Sequence, residues 1–162
     1  MSEPIAVPQE QADWQPKVVA FFCNWCTYLA ADLAGTSRMK YAPNARVIRV
    51  MCSGRVDPQF VMEAFANGAD GVLVGGCHFG DCHYQSGNHK ALRRFRLLRR
   101  VLLGMGIEDE RIRLEWISAA EADKLRDVIT EMVEQLKELG PLHIEVPAED
   151  FSELAELAEV TA

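Results

Sequence analysis

Several common functional motifs are missing from this 162-residue chain. It has no apolar run near the ~20 residues that a transmembrane helix requires, and its first residues carry no basic start or apolar stretch of signal-peptide length. It also has no phosphate-binding loop, no Gly-x-Gly-x-x-Gly motif, no Ser/His/Asp set and no paired carboxylates in a predicted cleft. We therefore expect a cytoplasmic protein with no membrane span and no substrate-converting site of its own.

Basic residues are absent from both ends of the chain. Residues 1–16 carry three acids and residues 142–162 carry six, with no Lys or Arg in either stretch. Without these nine acids, the net charge of −7 becomes +2 for residues 17–141. The whole-chain charge makes nucleic acid an unfavoured partner. We divide the chain into a tail (1–16), one domain (17–141) and an acidic tail (142–162).

Strand-like and helix-like segments alternate through the domain. Short β-branched and aromatic runs predict strands at 17–22, 46–51, 71–74 and 111–117. Predicted helices run from Asn24 to about 34, over 60–67 after Asp57 and Pro58, over 88–104, and from the capping box of Ser118 and Glu121 to Gly140. This alternation predicts an α/β domain: a small parallel four-stranded sheet flanked by helices, in the manner of flavodoxin-like βα repeats.

Five cysteines lie directly after predicted strands. Cys23 and Cys26 follow the first strand, Cys52 follows the second, and Cys77 and Cys82 follow the third. Because the carboxyl ends of parallel strands share one edge of a sheet, we expect the five thiols to meet there. They are the candidate ligands of a metal or cofactor, and no catalytic residue is predicted.

The cysteines alone leave several interpretations open. Zinc takes four tetrahedral Cys or His ligands, and the pair Cys23 and Cys26 has a usual zinc spacing. An iron–sulfur cluster is also held by four thiolates, so spacing does not separate the two metals. The same pair before a helix is typical of a thioredoxin-like dithiol, which leaves the other three cysteines without a role. Simple packing of buried thiols would account for one or two of the five.

Other residues near the cysteines have expected supporting roles. His78 and His83 each adjoin a cysteine, and we expect them to lie beside the site rather than to bind a metal. Backbone N–H groups and Arg38 or Arg55 are expected to donate hydrogen bonds to anionic sulfurs. Glycines allow close approach of the backbone or simply form turns, and four are candidates for either role: Gly54, Gly75, Gly76 and Gly80.

Four segments resemble a known family. They are FFCNWCTYLAADLAGTSR, RVIRVMCSGRVDP, GADGVLVGGCHFGDCHYQSGNHKALRR and RLEWISAAE. They are similar to the delta (iron–sulfur) subunit of methyl-viologen-reducing hydrogenase, from about residue 18 to 141, with the tails outside. The five cysteines match those of the family. The resemblance implies one 2Fe–2S cluster with one cysteine to spare, and we expect Cys52, Cys77 and Cys82 to bind it together with one or both of Cys23 and Cys26.

The resemblance also implies a place in energy metabolism. Members of the family relay electrons from a nickel–iron hydrogenase or a formate dehydrogenase to the flavin subunit of heterodisulfide reductase, where electron bifurcation occurs. Methanogenic archaea use this assembly to reduce the coenzyme M–coenzyme B heterodisulfide together with ferredoxin. The chain would be one subunit of that oxidoreductase complex. The alternatives are a thiol–disulfide oxidoreductase that uses Cys23 and Cys26, and a zinc-stabilised interaction module.

Two segments are candidate docking elements. In the predicted helix 88–104, one apolar stripe is expected to face the core: Ala91, Phe95, Leu98 and Leu102. Three arginines project on the opposite side, and three leucines also lie outside the core stripe: Arg93, Arg96 and Arg100, with Leu92, Leu97 and Leu103. This face is either an interface or a solvated basic surface. In the acidic tail, Phe151, Leu154 and Leu157 recur at steps of three, which predicts either a segment that orders on a partner or a disordered solubilising tail.

Overall fold

A computed structural model of the protein describes residues 14–144. The elements in chain order are β1 (Val18–Cys23), α1 (Thr27–Thr36), β2 (Ala45–Val50), α2 (Pro58–Ala66), β3 (Gly71–Gly76), α3 (Gly87–Gly104), β4 (Ile112–Trp116) and α4 (Ala122–Leu139). Short 3-10 turns lie at Ser53–Arg55 and Asp109–Arg111. The predictions for residues 1–13 and 145–162, including the docking stripe of the acidic tail, lie outside the described residues.

The four strands form one parallel sheet in the order β2-β1-β3-β4. The predicted α/β fold is confirmed. The central strands β1 and β3 are almost wholly apolar because helices cover both faces of the sheet there. Strand β2 lies at an edge, and its side chains are mostly exposed, including Val47 and Ile48.

Two hydrophobic clusters lie on opposite faces of the sheet. Alternate residues of β1 divide between them: Ala20 and Phe22 belong to the cluster that contains α1 and α4, and Phe21 belongs to the cluster that contains α2 and α3. The period of two in a strand explains this division. The predicted apolar stripe of α4 is buried, except that Leu139 is exposed at the end of the helix.

Two helices begin later than their sequence signals indicate. Asn24 was expected to cap α1, but residues 24–26 form a turn and Cys26 occupies the N-cap position. Ser118 was expected to cap α4, but the helix begins at Ala122. The Ser118–Glu121 pair still forms the return bond of a capping box, because the Ser118 N–H donates to Glu121 Oε2 at 2.6 Å.

A buried arginine fixes the chain after α4. Arg111 is 1% exposed and pairs with Glu108 at 2.7 Å. Its guanidinium also donates to the carbonyl oxygens of Asp70 at 3.2 Å and Gly140 at 3.1 Å. The Leu142 N–H donates to Asp70 Oδ1 at 3.2 Å. These bonds hold the last described residues at the end of the sheet opposite the cysteines.

Within residues 14–144, none of the helices has the length and apolar character needed to cross a membrane.

Candidate metal centre

The five cysteines meet at the carboxyl edge of the sheet. Cys23 ends β1 and Cys77 directly follows β3, while the other three lie in the adjoining loops. Four of them are buried against one another, with the half-buried Cys52 packed beside them: Cys23, Cys26, Cys77 and Cys82. All five are free thiols. The parallel sheet therefore brings together residues that are up to 59 positions apart, as the rule for strand ends predicts.

The sulfurs form two neighbouring groups. Cys23 Sγ and Cys77 Sγ are 3.7 Å apart, and together with Cys26 Sγ they form a group whose members all lie within 4.8 Å of one another. Cys52 and Cys82 lie beside the first residue of α3, since a Cβ built on Gly87 would stand 2.1 Å from Cys52 Sγ and 3.1 Å from Cys82 Sγ. The site thus has three thiols on one side and two on the other.

Hydrogen bonds and burial shift the pKa values of the three thiols of the first group in different directions. A hydrogen bond from the Cys26 thiol lowers the pKa of Cys23 to about 5, against the opposing effect of burial. The same bond, together with burial, raises the pKa of Cys26. Burial raises the pKa of Cys77 to about 11. Without a cation, these adjacent groups cannot all ionise, because thiolates in contact repel one another.

The second group lies at the start of α3. Burial raises the pKa of the Cys82 thiol, but the backbone N–H groups of Asn88, Tyr84 and Gly87 outweigh burial and hold that pKa below its ordinary value. Cys52 Sγ accepts from the Gly54 N–H at 3.4 Å, although burial keeps the pKa of Cys52 raised. Backbone N–H groups that point at sulfur favour the thiolate, which is the form that binds a metal.

Two residues at the start of α3 were missed by the sequence analysis. Gly87 is the residue whose lack of a side chain leaves room for Cys52 and Cys82. Asn88 is fully buried, and its side-chain N–H groups donate to the carbonyl oxygens of Cys77 at 3.2 Å and His78 at 2.9 Å. The sequence does contain a signal for these two residues. The helix opens with a Gly-Asn pair, although both residues are poor helix formers, which indicates that another requirement selects them.

The sequence singled out four glycines near the cysteines, but a Cβ built on any of them would not have a cysteine sulfur among its nearest atoms, as a Cβ on Gly87 would. Gly54 packs against the Gly87 backbone, and a Cβ built on Gly75 or Gly76 would collide with the side chains of α1, the Ser53 turn or β4. These three allow backbone and side chains to pack closely beneath the site. Gly80 has a φ of +93° with open space around it, so its role is that of a turn residue.

The predicted roles of the two arginines are not observed. Arg38 follows α1, a ten-residue helix that starts at the cysteine edge, so Arg38 lies about 15 Å or more along the helix from the site. The Arg55 guanidinium lies over the ring of Phe60, 5.1 Å from its centroid. Among the described residues, neither arginine donates a hydrogen bond to a cysteine sulfur.

Both histidines lie beside the sulfurs rather than among them. His78 Nε2 is 2.7 Å from Glu121 Oε2, which joins the loop after β3 to the start of α4. The ring of His83 stacks on Trp25 with 3.8 Å between centroids. The expectation that these histidines support the site without belonging to the sulfur cluster is consistent with this geometry.

Replacing Glu121 with alanine is expected to destabilise the start of α4. The Ser118 N–H, and then the pairing with His78, lower the pKa of Glu121 to about 2 from an ordinary value of 4.5. Its ionised form therefore stabilises the fold above about pH 4.5, and this contribution is lost as the pH falls towards 2. We expect Glu121→Ala to cost about 1 kcal/mol at pH 7, measured by anaerobic urea unfolding.

Glu138→Ala is the matched control for this prediction. Glu138 is exposed on the same helix and makes no ion pair among residues 14–144, so its removal should change the free energy of unfolding by less than about 0.5 kcal/mol. The difference between wild type and Glu121→Ala should shrink from pH 5 towards pH 2.5. A difference that stayed constant over that range would contradict the role assigned to the carboxylate.

The arrangement fits an iron–sulfur cluster better than a dithiol exchange site. Thiol–disulfide exchange requires an accessible sulfur, whereas Cys23 is 1% and Cys26 is 5% exposed. Five thiols in two adjacent groups provide more than the four thiolates that such a cluster takes. Iron would supply the positive charge that lets buried neighbouring thiols ionise together. Four thiolates also suit zinc, so the geometry leaves that metal as the competing occupant.

The sequence of the whole domain matches one family. The sequence model described as methyl-viologen-reducing hydrogenase, delta subunit, matches residues 18–140. The chain belongs to this family. The match covers all four strands and all four helices, and it includes every cysteine of the site.

Several curated proteins are similar to this chain. An iron-sulfur subunit of the F420-non-reducing hydrogenase of Archaeoglobus profundus is 57% identical over 82% of this chain and 97% of its own length. The vhc iron-sulfur subunit of the F420-non-reducing hydrogenase of Methanococcus voltae is 53% identical over 80% of this chain and 90% of its own length. One subunit of the ferredoxin:CoB-CoM heterodisulfide reductase of Methanosarcina mazei is 50% identical over 83% of this chain, but the match covers only 17% of that larger protein.

Proposed function

We propose that this member of the delta-subunit family is a cytoplasmic electron-transfer subunit with one 2Fe–2S cluster. It would receive electrons from a nickel–iron hydrogenase or a formate dehydrogenase and pass them to the flavin subunit of an electron-bifurcating heterodisulfide reductase complex. The observation that carries the proposal is the meeting of five free, mostly buried thiols at one sheet edge. When bound there, such a cluster accepts and releases single electrons.

The two sulfur groups support a particular set of ligands. A 2Fe–2S cluster takes four thiolates. Cys52 and Cys82 would supply two from the side of Gly87, and Cys77 would supply a third from the other group. The fourth would come from Cys23 or Cys26, and the remaining cysteine of that pair would be the spare one. The N–H groups at the start of α3 would stabilise the charge on Cys82.

The names of the relatives support a hydrogenase and a heterodisulfide reductase as partners. Two of them are named as iron-sulfur subunits of hydrogenases. In the Methanosarcina mazei protein, a region similar to this domain forms part of a heterodisulfide reductase polypeptide. Two domains that form one polypeptide in one organism often bind each other when they are separate chains in another. By this reasoning, the present chain would bind the rest of such a reductase polypeptide. We therefore infer that the heterodisulfide reductase polypeptide of this type is the electron acceptor.

Metal and sulfide analysis of the anaerobically purified chain tests the cluster. We expect a brown protein with about two irons and two acid-labile sulfides per chain, and an electron paramagnetic resonance signal after one-electron reduction. A colourless protein that holds one zinc would overturn the proposal in favour of an interaction module. A metal-free protein whose disulfide exchange depends on Cys23 and Cys26 would overturn it in favour of a dithiol enzyme.

Reduction by separate donors tests the relay. The loaded chain is mixed anaerobically with purified hydrogenase and hydrogen, or with formate dehydrogenase and formate, and bleaching of the cluster is recorded. We expect rapid bleaching with one donor and re-oxidation on addition of the flavin-containing heterodisulfide reductase. A cluster that neither donor reduces, or that the reductase does not re-oxidise, would contradict the assigned direction of electron flow.

A further inference from the structure

The outward face of α3 carries an excess of positive charge. Six of its eighteen residues are basic and none is acidic. Arg94 donates to the Gly54 carbonyl oxygen at 2.6 Å, and Arg99 pairs with Asp109. In the part of the chain that the structure describes, three further arginines of the helix take part in no ion pair: Arg93, Arg96 and Arg100. Within residues 14–144, no carboxylate oxygen lies within 4 Å of these three guanidinium groups.

Large apolar side chains lie among these arginines. Leu97 is 65% exposed, and Val101 and Leu103 are about half exposed. Arg93, Leu97 and Arg100 follow each other at steps of four and three, so they share one side of the helix, opposite the buried Ala91, Leu98 and Leu102. Apolar side chains grouped with arginine are typical of surfaces that another segment covers. The occupant should be both acidic and apolar.

The described chain ends on the same face of the sheet as α3. Leu142 packs against the hydrophobic cluster that lies between the sheet and the helices α2 and α3. Leu142 and Ile144 line a pocket with Phe65 and Asp70, so the chain after α4 continues on the face of the sheet that carries α2 and α3. The bonds from Arg111 to the carbonyl oxygen of Gly140 and from the Leu142 N–H to Asp70 fix that position. Eighteen residues, 145–162, follow from this point.

The segment 145–162 is both acidic and apolar, as an occupant of the exposed face of α3 should be. It contains six acids and no Lys or Arg, and Phe151, Leu154 and Leu157 recur among them at steps of three. The six residues before Phe151 span up to about 20 Å when extended, and the proposal requires the exposed face to lie within that reach of Ile144. Because the segment is tethered, its local concentration near α3 is in the millimolar range, so weak ion pairs suffice for docking.

We propose that residues 145–162 of this chain dock on the exposed face of α3. Their acids would pair with Arg93, Arg96 and Arg100, and their apolar residues would cover Leu97 and Val101. A competing surface is the groove of about 610 Å³ between β2 and α2, lined by Ile48 and Phe60 among others. That groove has two basic residues, Lys17 and Arg46, and the acidic Glu63 among its lining side chains, so its charge complements the segment less well. A partner that binds α3 would first have to displace the segment.

Photo-crosslinking in the full chain tests this proposal. Leu154 is replaced by p-benzoylphenylalanine, the protein is irradiated, and the cross-linked peptides are identified by mass spectrometry. We expect cross-links to residues 93–105. The triple variant Arg93→Glu, Arg96→Glu, Arg100→Glu should reduce their yield roughly fivefold, and adding Glu153→Arg, Glu156→Arg and Glu159→Arg should restore it. High salt should also reduce the yield.

Controls separate this proposal from its competitors. Ile48→Ala in the groove should leave the cross-links to α3 unchanged. Isotopically heavy and light chains are mixed before irradiation, and we expect cross-links only within one chain. Cross-links to β2 or α2, cross-links between heavy and light chains, or a yield that does not respond to the triple reversal would each overturn the proposal. Circular dichroism confirms that each variant is folded.

Discussion

Alanine in place of Cys52, Cys77 or Cys82 is expected to abolish the visible absorption of the anaerobically purified protein. Each of these variants removes one of the four thiolates that we assign to the cluster, and alanine offers no ligand atom in exchange. Iron should fall from about two atoms per chain to below about 0.5. Iron and sulfide analysis, together with electron paramagnetic resonance of the reduced protein, measures the loss.

The Cys23 and Cys26 variants should behave differently from these three and from each other. One of Cys23→Ala and Cys26→Ala should lose the cluster and the other should keep it, since only one of the pair is needed as the fourth ligand. Met51→Ala is the matched control, because Met51 is exposed and adjoins Cys52. It should retain its full iron content. Full retention in any of the Cys52, Cys77 or Cys82 variants would contradict the proposed ligands.

The second large effect is expected from Gly87→Ala. A Cβ at this position would stand 2.1 Å from Cys52 Sγ and 3.1 Å from Cys82 Sγ, so at least one sulfur has to move. Alanine is favoured over glycine by about 1 kcal/mol inside helices, so helix propensity alone predicts a harmless or stabilising change. We expect instead a loss of at least about half of the bound iron and an altered paramagnetic resonance spectrum.

Gly104→Ala provides the control on the same helix. A Cβ at Gly104 would meet nothing within 4 Å, so this variant should keep its cluster and its spectrum. The comparison separates the effect of a side chain beside the sulfurs from the general effect of alanine in α3. An unchanged cluster in Gly87→Ala would show that Cys52 and Cys82 do not occupy the positions described above when metal is bound.

The order of strands and helices could be predicted because each carries a strong local signal. The apolar runs of β1 and β3 and the stripe of α4 identify these elements. The starts of α1 and α4 could not be predicted, because Asn24 and Ser118 are good caps whose local preference is overridden. Cys26 occupies the N-cap position of α1 instead, and Glu121 uses its carboxylate in the turn before α4.

The meeting of the cysteines was predictable from topology alone, since parallel strands end at a common edge. The residues around the cysteines were predictable only in part, since the two histidines lie beside the sulfurs as expected but the arginines do not. Arg38 was expected to donate a hydrogen bond to the sulfurs, but α1 carries the chain to the other end of the sheet. Gly87 and Asn88 were overlooked, because their importance depends on how α3 is placed against Cys52 and Cys77.

The distribution of the cysteines over three loops has a consequence for folding. A cluster bound as proposed would act as a covalent cross-link between residues 25 to 29 positions apart, from Cys23 or Cys26 to Cys52 and from Cys52 to Cys77. Closing loops of this length removes about 3 to 4 kcal/mol of chain entropy each from the unfolded state, if disulfides are a guide. Iron loading would then stabilise the packing of β1, β2 and β3 against unfolding. Oxidative loss of the cluster would lower the stability of the sheet, beginning at its carboxyl edge.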